Sequence, residues 1–175
     1  MRILGIDPGL ATIGIGLVEM KPSGIATALD WLTITTPPHL ELGARLLELS
    51  QDLFRYIKEW KPELAVLEKL FFSTNKLTAI DVAQARGAIL LTLEQCSLPV
   101  IEPTPLQLKI GVTGDGKADK RQVQDMVMRT LKLDEMPKPD DAADALALAL
   151  YGGFTRRHSQ LYESASGKAR LSPTP

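Results

Sequence analysis

Cysteine and histidine are scarce in this sequence, and their scarcity excludes several kinds of chemistry. The 175 residues contain one cysteine, Cys96, and two histidines, His39 and His158. A single cysteine excludes an internal disulfide bond, and a chain without disulfides is typical of a reducing, cytoplasmic setting. A catalytic thiol needs a neighbouring base, and two histidines provide little base to activate Cys96. We therefore expect neither a disulfide nor a cysteine nucleophile.

Long hydrophobic runs are also absent. The apolar N-terminal stretch is interrupted by Asp7, and nothing resembles a membrane span or a signal peptide, so we expect a cytoplasmic protein. With 175 residues, 45% of them hydrophobic, the chain can bury one core, which predicts one domain over residues 1–153. From Arg156 onward Ser, Gly, Pro and charged residues dominate, so we expect a disordered tail over residues 154–175.

An excess of positive charge is absent as well, since 20 Lys and Arg residues face 21 Asp and Glu residues. The resulting net charge of −1 does not by itself indicate a nucleic-acid-binding protein. The charge is unevenly distributed, however, because residues 109–121 are locally basic. The basic residues there are Lys109, Lys117, Lys120 and Arg121, against only Asp115 and Asp119. This segment is a modest indication of a nucleic-acid ligand.

Hydrophobic periodicity predicts an α/β domain with a mixed sheet. Turns carrying Pro8-Gly9 and Pro22-Ser23-Gly24 separate the first three apolar segments, which favours antiparallel hairpins. Predicted strands cover residues 1–7, 14–20, 26–36, 64–68 and 99–102. Predicted helices cover residues 40–60, 75–95, 119–131 and 140–150, with a short helical segment from Thr104 and a flexible loop at 111–116. Right-handed crossovers between the later strands then give about five strands with helices on both faces.

Carboxylates stand where strands and a helix would otherwise be apolar. Asp7 ends the first strand, Glu68 ends the apolar strand 64–68, and Asp141 and Asp144 share one face of the last helix. Buried carboxylates are costly unless a cation neutralises them. Oxygen donors without His or Cys suit Mg²⁺ or Mn²⁺ better than zinc. We therefore predict a metal site for phosphoryl transfer.

Structural roles remain open for some of these acids. Asp7 is also the kind of residue that starts an Asp-Pro-Gly turn. Asp140 is the natural cap after Pro139, and Asp141 could be an ordinary first-turn charge. A solvated role fits Asp144 badly, because the helix around it is almost entirely apolar.

Two adjacent aromatic residues, Phe71 and Phe72, follow the strand that ends at Glu68. Both cannot point into one core from a regular element, so at least one is expected to be exposed and able to stack on nucleobases. We assign that role to Phe71 and expect the other to be a core residue. In the following helix, small residues such as Ala83 and Gly87 allow close approach either to the sheet or to a second subunit.

Four motifs in this order resemble the RuvC family of bacterial Holliday-junction resolvases, also called crossover junction endodeoxyribonucleases. They are Gly5-Ile-Asp-Pro-Gly9, Glu68 followed by Phe71-Phe72 and Asn75, Gln84-Ala-Arg-Gly87, and Asp141-Ala-Ala-Asp144-Ala-Leu. Each motif is moderately specific, whereas the ordered set is highly specific. The resemblance runs from Met1 to about Gly153.

This resemblance implies a ribonuclease-H-like fold with a mixed five-stranded sheet and helices on both faces. It implies a homodimeric, Mg²⁺-dependent endonuclease of DNA recombination and repair that nicks two strands of a four-way junction symmetrically. Asp7, Glu68, Asp141 and Asp144 match the family's catalytic acids, which would hold two Mg²⁺ ions or Mn²⁺ as a substitute. Lys109 and Lys120 match its DNA-binding basic positions, Phe71 its junction-probing aromatic residue, and residues 75–95 its dimer helix. The implied partners are RuvA and RuvB.

A different class of function shares part of the N-terminal motif. The segment Gly5-Ile-Asp-Pro-Gly9, with Gly14 and Gly16 downstream, also resembles the first phosphate loop of ATP-binding domains of the actin and sugar-kinase type. Those proteins close two lobes over the nucleotide, and 175 residues barely make one. A single-lobe ATP-binding domain is therefore the alternative hypothesis.

Overall fold

The computed structural model describes residues 1–69 and 76–165, which form five strands and five helices. The strands are β1 (Arg2–Asp7), β2 (Thr12–Met20), β3 (Ala26–Thr35), β4 (Leu64–Leu67) and β5 (Val100–Ile101). The helices are α1 (Leu42–Trp60), α2 (Lys76–Gln95), α3 (Pro105–Thr113), α4 (Lys120–Leu131) and α5 (Asp140–Ala165). None of the helices in this part of the chain is both long and apolar enough to cross a membrane.

The five strands form one mixed sheet in the order β3-β2-β1-β4-β5. The first three strands pair antiparallel, whereas β4 pairs parallel to β1 and β5 pairs parallel to β4. Tight turns can join antiparallel neighbours, while parallel neighbours need a crossover, which α1 and α2 provide here. The mixed sheet of five strands predicted from the sequence is confirmed.

Helices cover both faces of the sheet. Because side chains alternate along a strand, Leu4 and Ile6 lie on one face and Ile3 on the other. Leu4 and Ile6 pack in a core with side chains of α1 and α2, and Ile3 packs in a second core with side chains of α4 and α5. The two-residue period also places Asp7 on the face of Ile3, which is the face that α5 covers.

Helix α5 lies directly on the backbone of β1 and β2. A Cβ atom added at Gly5 would be 1.9 Å from the carbonyl oxygen of Ala145, and one added at Gly14 would be 1.9 Å from that of Asp141. Only glycine leaves room for such a close approach. Since Gly14 is the register partner of Asp7, this contact brings the first turn of α5 to the end of β1.

Two predicted boundaries are wrong by more than two residues, and close packing explains both. The loop predicted at 111–116 begins only after Thr113, because Gly111 lies against the ring of Tyr151 and α3 continues. Helix α5, predicted to end at residue 150, continues to Ala165, because Gly152 and Gly153 lie against side chains of the sheet instead of ending the helix. The helix therefore includes residues 154–165, which we expected to be disordered. Residues 166–175 lie outside the described range, where disorder stays a prediction.

Candidate active site

Three carboxylates from separate elements line one cleft of about 210 Å³. Asp7 is the last residue of β1, Glu68 directly follows β4, and Asp144 lies in the second turn of α5. The strands β1 and β4 are parallel neighbours, so their carboxyl ends meet at the same edge of the sheet. The cleft is completed by Lys109 of α3 and Lys120 of α4. Of the seven predicted site residues, the tertiary structure thus brings five together.

Asp141 lies beside this group but does not line the cleft. It is in the first turn of α5, where its backbone rests against Gly14, the register partner of Asp7. Its carboxylate is close enough to raise the pKa of Asp7. The structure therefore places Asp141 beside the cleft, at the start of α5, where its charge acts on Asp7.

Asp7 is the most strongly perturbed acid of the group. Its pKa is raised from 3.8 to about 7, first by burial and then by the carboxylates of Asp144, Glu68 and Asp141 in that order, against an opposing effect of Lys120. Burial and like charges both disfavour the ionised form. Near neutral pH the Asp7 carboxyl group is therefore neutralised either by a proton or by a nearby cation.

Glu68 and Asp144 are perturbed in the same direction. Burial raises the pKa of Glu68, and the charge of Asp144 adds to this effect. Burial also raises the pKa of Asp144, although the nearby Lys120 ammonium acts in the opposite direction. Groups of acids with raised pKa values in a cleft are typical of functional sites.

Lys120 is the cation of the cleft with the clearest contacts. It is the first residue of α4, and its Nζ lies 3.0 Å from Oδ2 of Asp144 and 3.4 Å from Oδ2 of Asp140. The hydrogen bond to Asp144 raises the pKa of Lys120, which keeps it charged. Asp140, predicted as the helix cap, is the first residue of α5 in the structure and also contacts Lys120.

The donor set of the cleft fits a hard divalent cation. Its acids offer only carboxylate oxygens, which Mg²⁺ and Mn²⁺ prefer. The pKa values of Asp7, Glu68 and Asp144 stay raised despite Lys120, so this lysine compensates the buried acids only in part. Within residues 1–69 and 76–165, no three acidic, His or Cys side chains already converge as a metal site.

Known proteins place this chain in a family. The family model for crossover junction endodeoxyribonuclease RuvC matches residues 3–151. RuvC of Prochlorococcus marinus (strain MIT 9303) is 49% identical over 156 residues, which cover 89% of this chain and 100% of the relative. RuvC of Desulfitobacterium hafniense (strain DSM 10664 / DCB-2) is 51% identical over 150 residues, or 86% of this chain and 90% of the relative.

This chain belongs to the RuvC family. The family consists of metal-dependent crossover junction endodeoxyribonucleases. Among solved structures, T. thermophilus RuvC in complex with a Holliday junction substrate superimposes with a TM-score of 0.82 at 30% identity, covering 90% of this chain and 96% of that chain. The ribonuclease-H-like fold predicted from the resemblance is confirmed.

Membership of the RuvC family leaves no support for the alternative, an ATP-binding domain of the kinase type. The structure gives the glycines of the shared motif another role. Gly14 and Gly16 lie under the backbone of α5, where Cβ atoms would collide with Asp141 and Leu146. They are therefore packing positions for a helix in the present fold.

Phe71 and Phe72 lie outside the described residues, as does the predicted start of the α2 helix at Asn75. The assignment of Phe71 to DNA contact, and the choice between the two aromatic residues, therefore stay predictions.

The sequence interpretation missed Arg86 and Glu102. The Nε of Arg86 donates a hydrogen bond to the carbonyl oxygen of Glu68 at 3.2 Å, and its Nη2 forms an ion pair with the Glu102 carboxylate. A signal was present, since Arg86 belongs to the Gln84-Ala-Arg-Gly87 motif that supported the family resemblance. The motif alone did not indicate which group the guanidinium contacts.

Proposed function

We propose that this protein resolves four-way DNA junctions by hydrolysing one phosphodiester bond in each of two strands of like polarity. Such paired, symmetric nicks would serve DNA recombination and repair. The observation that supports the proposal best is the common cleft of Asp7, Glu68 and Asp144 with Lys109 and Lys120, in a chain of the RuvC family. A cleft that combines metal-binding acids with lysines suits a phosphodiester substrate.

We infer that Asp7, Glu68, Asp141 and Asp144 would hold Mg²⁺, with two ions per site and Mn²⁺ as a substitute. The burial and mutual repulsion of the carboxylates support this assignment, because a cation would relieve both. When bound, such ions supply electrostatic stabilisation of the attacking water and the departing oxygen. The carboxylates must be ionised to bind metal. The affinity for Mg²⁺ should therefore fall as the pH drops below about 7 and Asp7 becomes protonated.

The two lysines would hold the DNA backbone at the acids. Lys120 is about half exposed, with 53% of its side chain accessible, and can therefore reach a phosphate beside Asp144. Lys109 approaches the same cleft from α3. Cations positioned where negative charge develops on the scissile phosphate would favour its transition state. Phe71, three residues beyond Glu68, would stack on bases at the junction.

We further propose that the active species is a homodimer, because a junction presents two equivalent strands and each chain provides one acidic cleft. An exposed apolar strip on α2 supports this proposal. It consists of Ile80, Ala83, Gly87 and Leu91, which share a helical face by their spacing. Ile80 and Leu91 are 65% and 61% exposed, and open space surrounds Gly87. A second copy of the chain would cover this face.

Partners and location follow from the same proposed activity. A junction resolvase would act together with proteins that bind the junction and move the branch point, for which the family resemblance suggests RuvA and RuvB. It would work in the cytoplasm, where chromosomal DNA is found in bacteria.

The direct test is incubation of the purified chain with an end-labelled four-way junction in Mg²⁺. We expect paired nicks at symmetric positions, with products that a DNA ligase can reseal. The matched control is Asp7→Asn, which should bind the junction without cutting it. Binding without any cleavage by the wild-type chain in Mg²⁺ or Mn²⁺ would contradict the proposed function.

A further inference from the structure

Arg86 contacts the backbone of Glu68 from α2, a helix that packs on the other face of the sheet from α5. Its Nε donates to the Glu68 carbonyl oxygen at 3.2 Å, and its Nη2 pairs with Glu102. The Arg86 side chain is 16% exposed and that of Glu102 is 36% exposed. The two contacts therefore join α2, the end of β4 and the segment after β5 in one partly buried network.

Glu68 lies just beyond the last residues of β4 that pair with neighbouring strands. The register of β4 with β1 ends at Leu67, and its register with β5 ends at Val66. One residue further, the amide of Lys69 donates to the carbonyl oxygen of Pro103 at 2.9 Å. The contact from Arg86 thus fixes the backbone of Glu68 just beyond the last paired residues.

A guanidinium suits this position because its planar fork can direct two N–H groups to two separate acceptors. The ion pair with Glu102 compensates the partly buried charge and fixes the plane of the fork. With the carbonyl oxygen of Glu68 held in place, its Cα and carboxylate have fewer accessible positions. Groups that orient a metal ligand in this way typically change metal affinity or activity by about 10- to 100-fold when removed.

We propose that Arg86, anchored by Glu102, is a positioning residue that orients Glu68 for metal binding and thereby for junction cleavage. This inference rests on the proposed function, in which Glu68 is a metal ligand. Arg86 acts from α2, the helix proposed to form the dimer. The ion pair therefore also connects the proposed subunit interface to the cleft.

The test compares Arg86→Met, Arg86→Lys, Glu102→Ala and the double variant Arg86→Met/Glu102→Ala with the wild-type chain. Mn²⁺ affinity is measured by calorimetry without DNA, and the Mg²⁺ dependence of cleavage is measured on a four-way junction. The matched control is Arg55→Met, which removes the exposed ion pair of Arg55 with Asp52 on α1, away from the cleft. Thermal melting and junction binding in Ca²⁺ report on folding and DNA affinity.

We expect Arg86→Met to weaken Mn²⁺ binding by about 10-fold and to raise the Mg²⁺ concentration for half-maximal cleavage similarly, while junction affinity in Ca²⁺ changes less than about two-fold. Arg86→Lys should recover part of the loss, because it keeps the charge opposite Glu102 but lacks the fork. Glu102→Ala should also weaken Mn²⁺ binding. The double variant should bind Mn²⁺ no more weakly than Arg86→Met alone, because both changes remove the same contact.

Unchanged Mn²⁺ affinity and an unchanged Mg²⁺ midpoint in Arg86→Met and Glu102→Ala would overturn the proposal, even if the melting temperature fell. Such a result would make the pair a structural support only. Failure of the wild-type chain to cut a junction would instead contradict the proposed function.

Discussion

Replacement of Asp7 by Asn should stabilise the protein in the absence of metal. The raised pKa, from 3.8 to about 7, means that ionisation of Asp7 opposes folding. At about 1.4 kcal/mol per pKa unit, the full cost is about 4 kcal/mol. The amide has nearly the same shape and carries no charge, so we expect Asp7→Asn to gain about 2–4 kcal/mol in EDTA at pH 8.

The sign of the pH dependence follows from the same pKa. For an acid whose pKa is raised by folding, the destabilisation is absent below the unfolded pKa near 4 and complete above the folded pKa of about 7. The advantage of Asp7→Asn should therefore be less than half as large at pH 5 as at pH 8. Urea unfolding curves at these two values avoid the isoelectric point, which is near 6.1.

Addition of Mg²⁺ should reverse the order, because a ligand that binds only the folded state stabilises it and the Asn variant lacks one ligand. Wild type should then gain stability in Mg²⁺ and Asp7→Asn should gain little. An Asp7→Asn variant that is no more stable than wild type at pH 8 in EDTA would refute the reasoning that burial and neighbouring carboxylates strain this site.

Three further predictions concern function. Replacing Glu68, Asp141 or Asp144 with the amide should abolish cleavage but preserve junction binding, since binding depends on basic groups and shape; near wild-type cutting would remove that residue from the site. Ala83→Arg should give monomers by light scattering, and a fully active wild-type monomer would contradict the paired-nick mechanism. Phe71→Ala should lose about 1–3 kcal/mol of stacking, so that junction cleavage slows by about 10- to 100-fold. A junction with an open crossover should be cut comparatively well by that variant, and equal loss on both substrates with lower thermal stability would indicate a core residue.

Local pattern was sufficient for much of the fold. Apolar residues alternate along β1 and recur every three to four residues along α1. Both patterns show which side of the element is apolar, and residues close together in the sequence are enough to reveal them. The acids Asp7, Glu68 and Asp144 were recognisable because charge in an apolar element needs a partner. The ordered motifs added the family, and with it the expected fold.

Only the tertiary structure decided what each exceptional residue contacts. Gly152 and Gly153 suggest a helix end in isolation, yet they continue α5 because the sheet packs against them. The network of Arg86, Glu102 and the Glu68 carbonyl joins residues from three elements, which no local pattern relates. The raised pKa of Asp7 depends on burial and on the charges of Glu68, just after β4, and of Asp141 and Asp144 in α5. The sequence by itself determined where helices and strands form and which residues carry charge. Packing determined which of these residues contact one another, because those contacts join residues far apart in the chain.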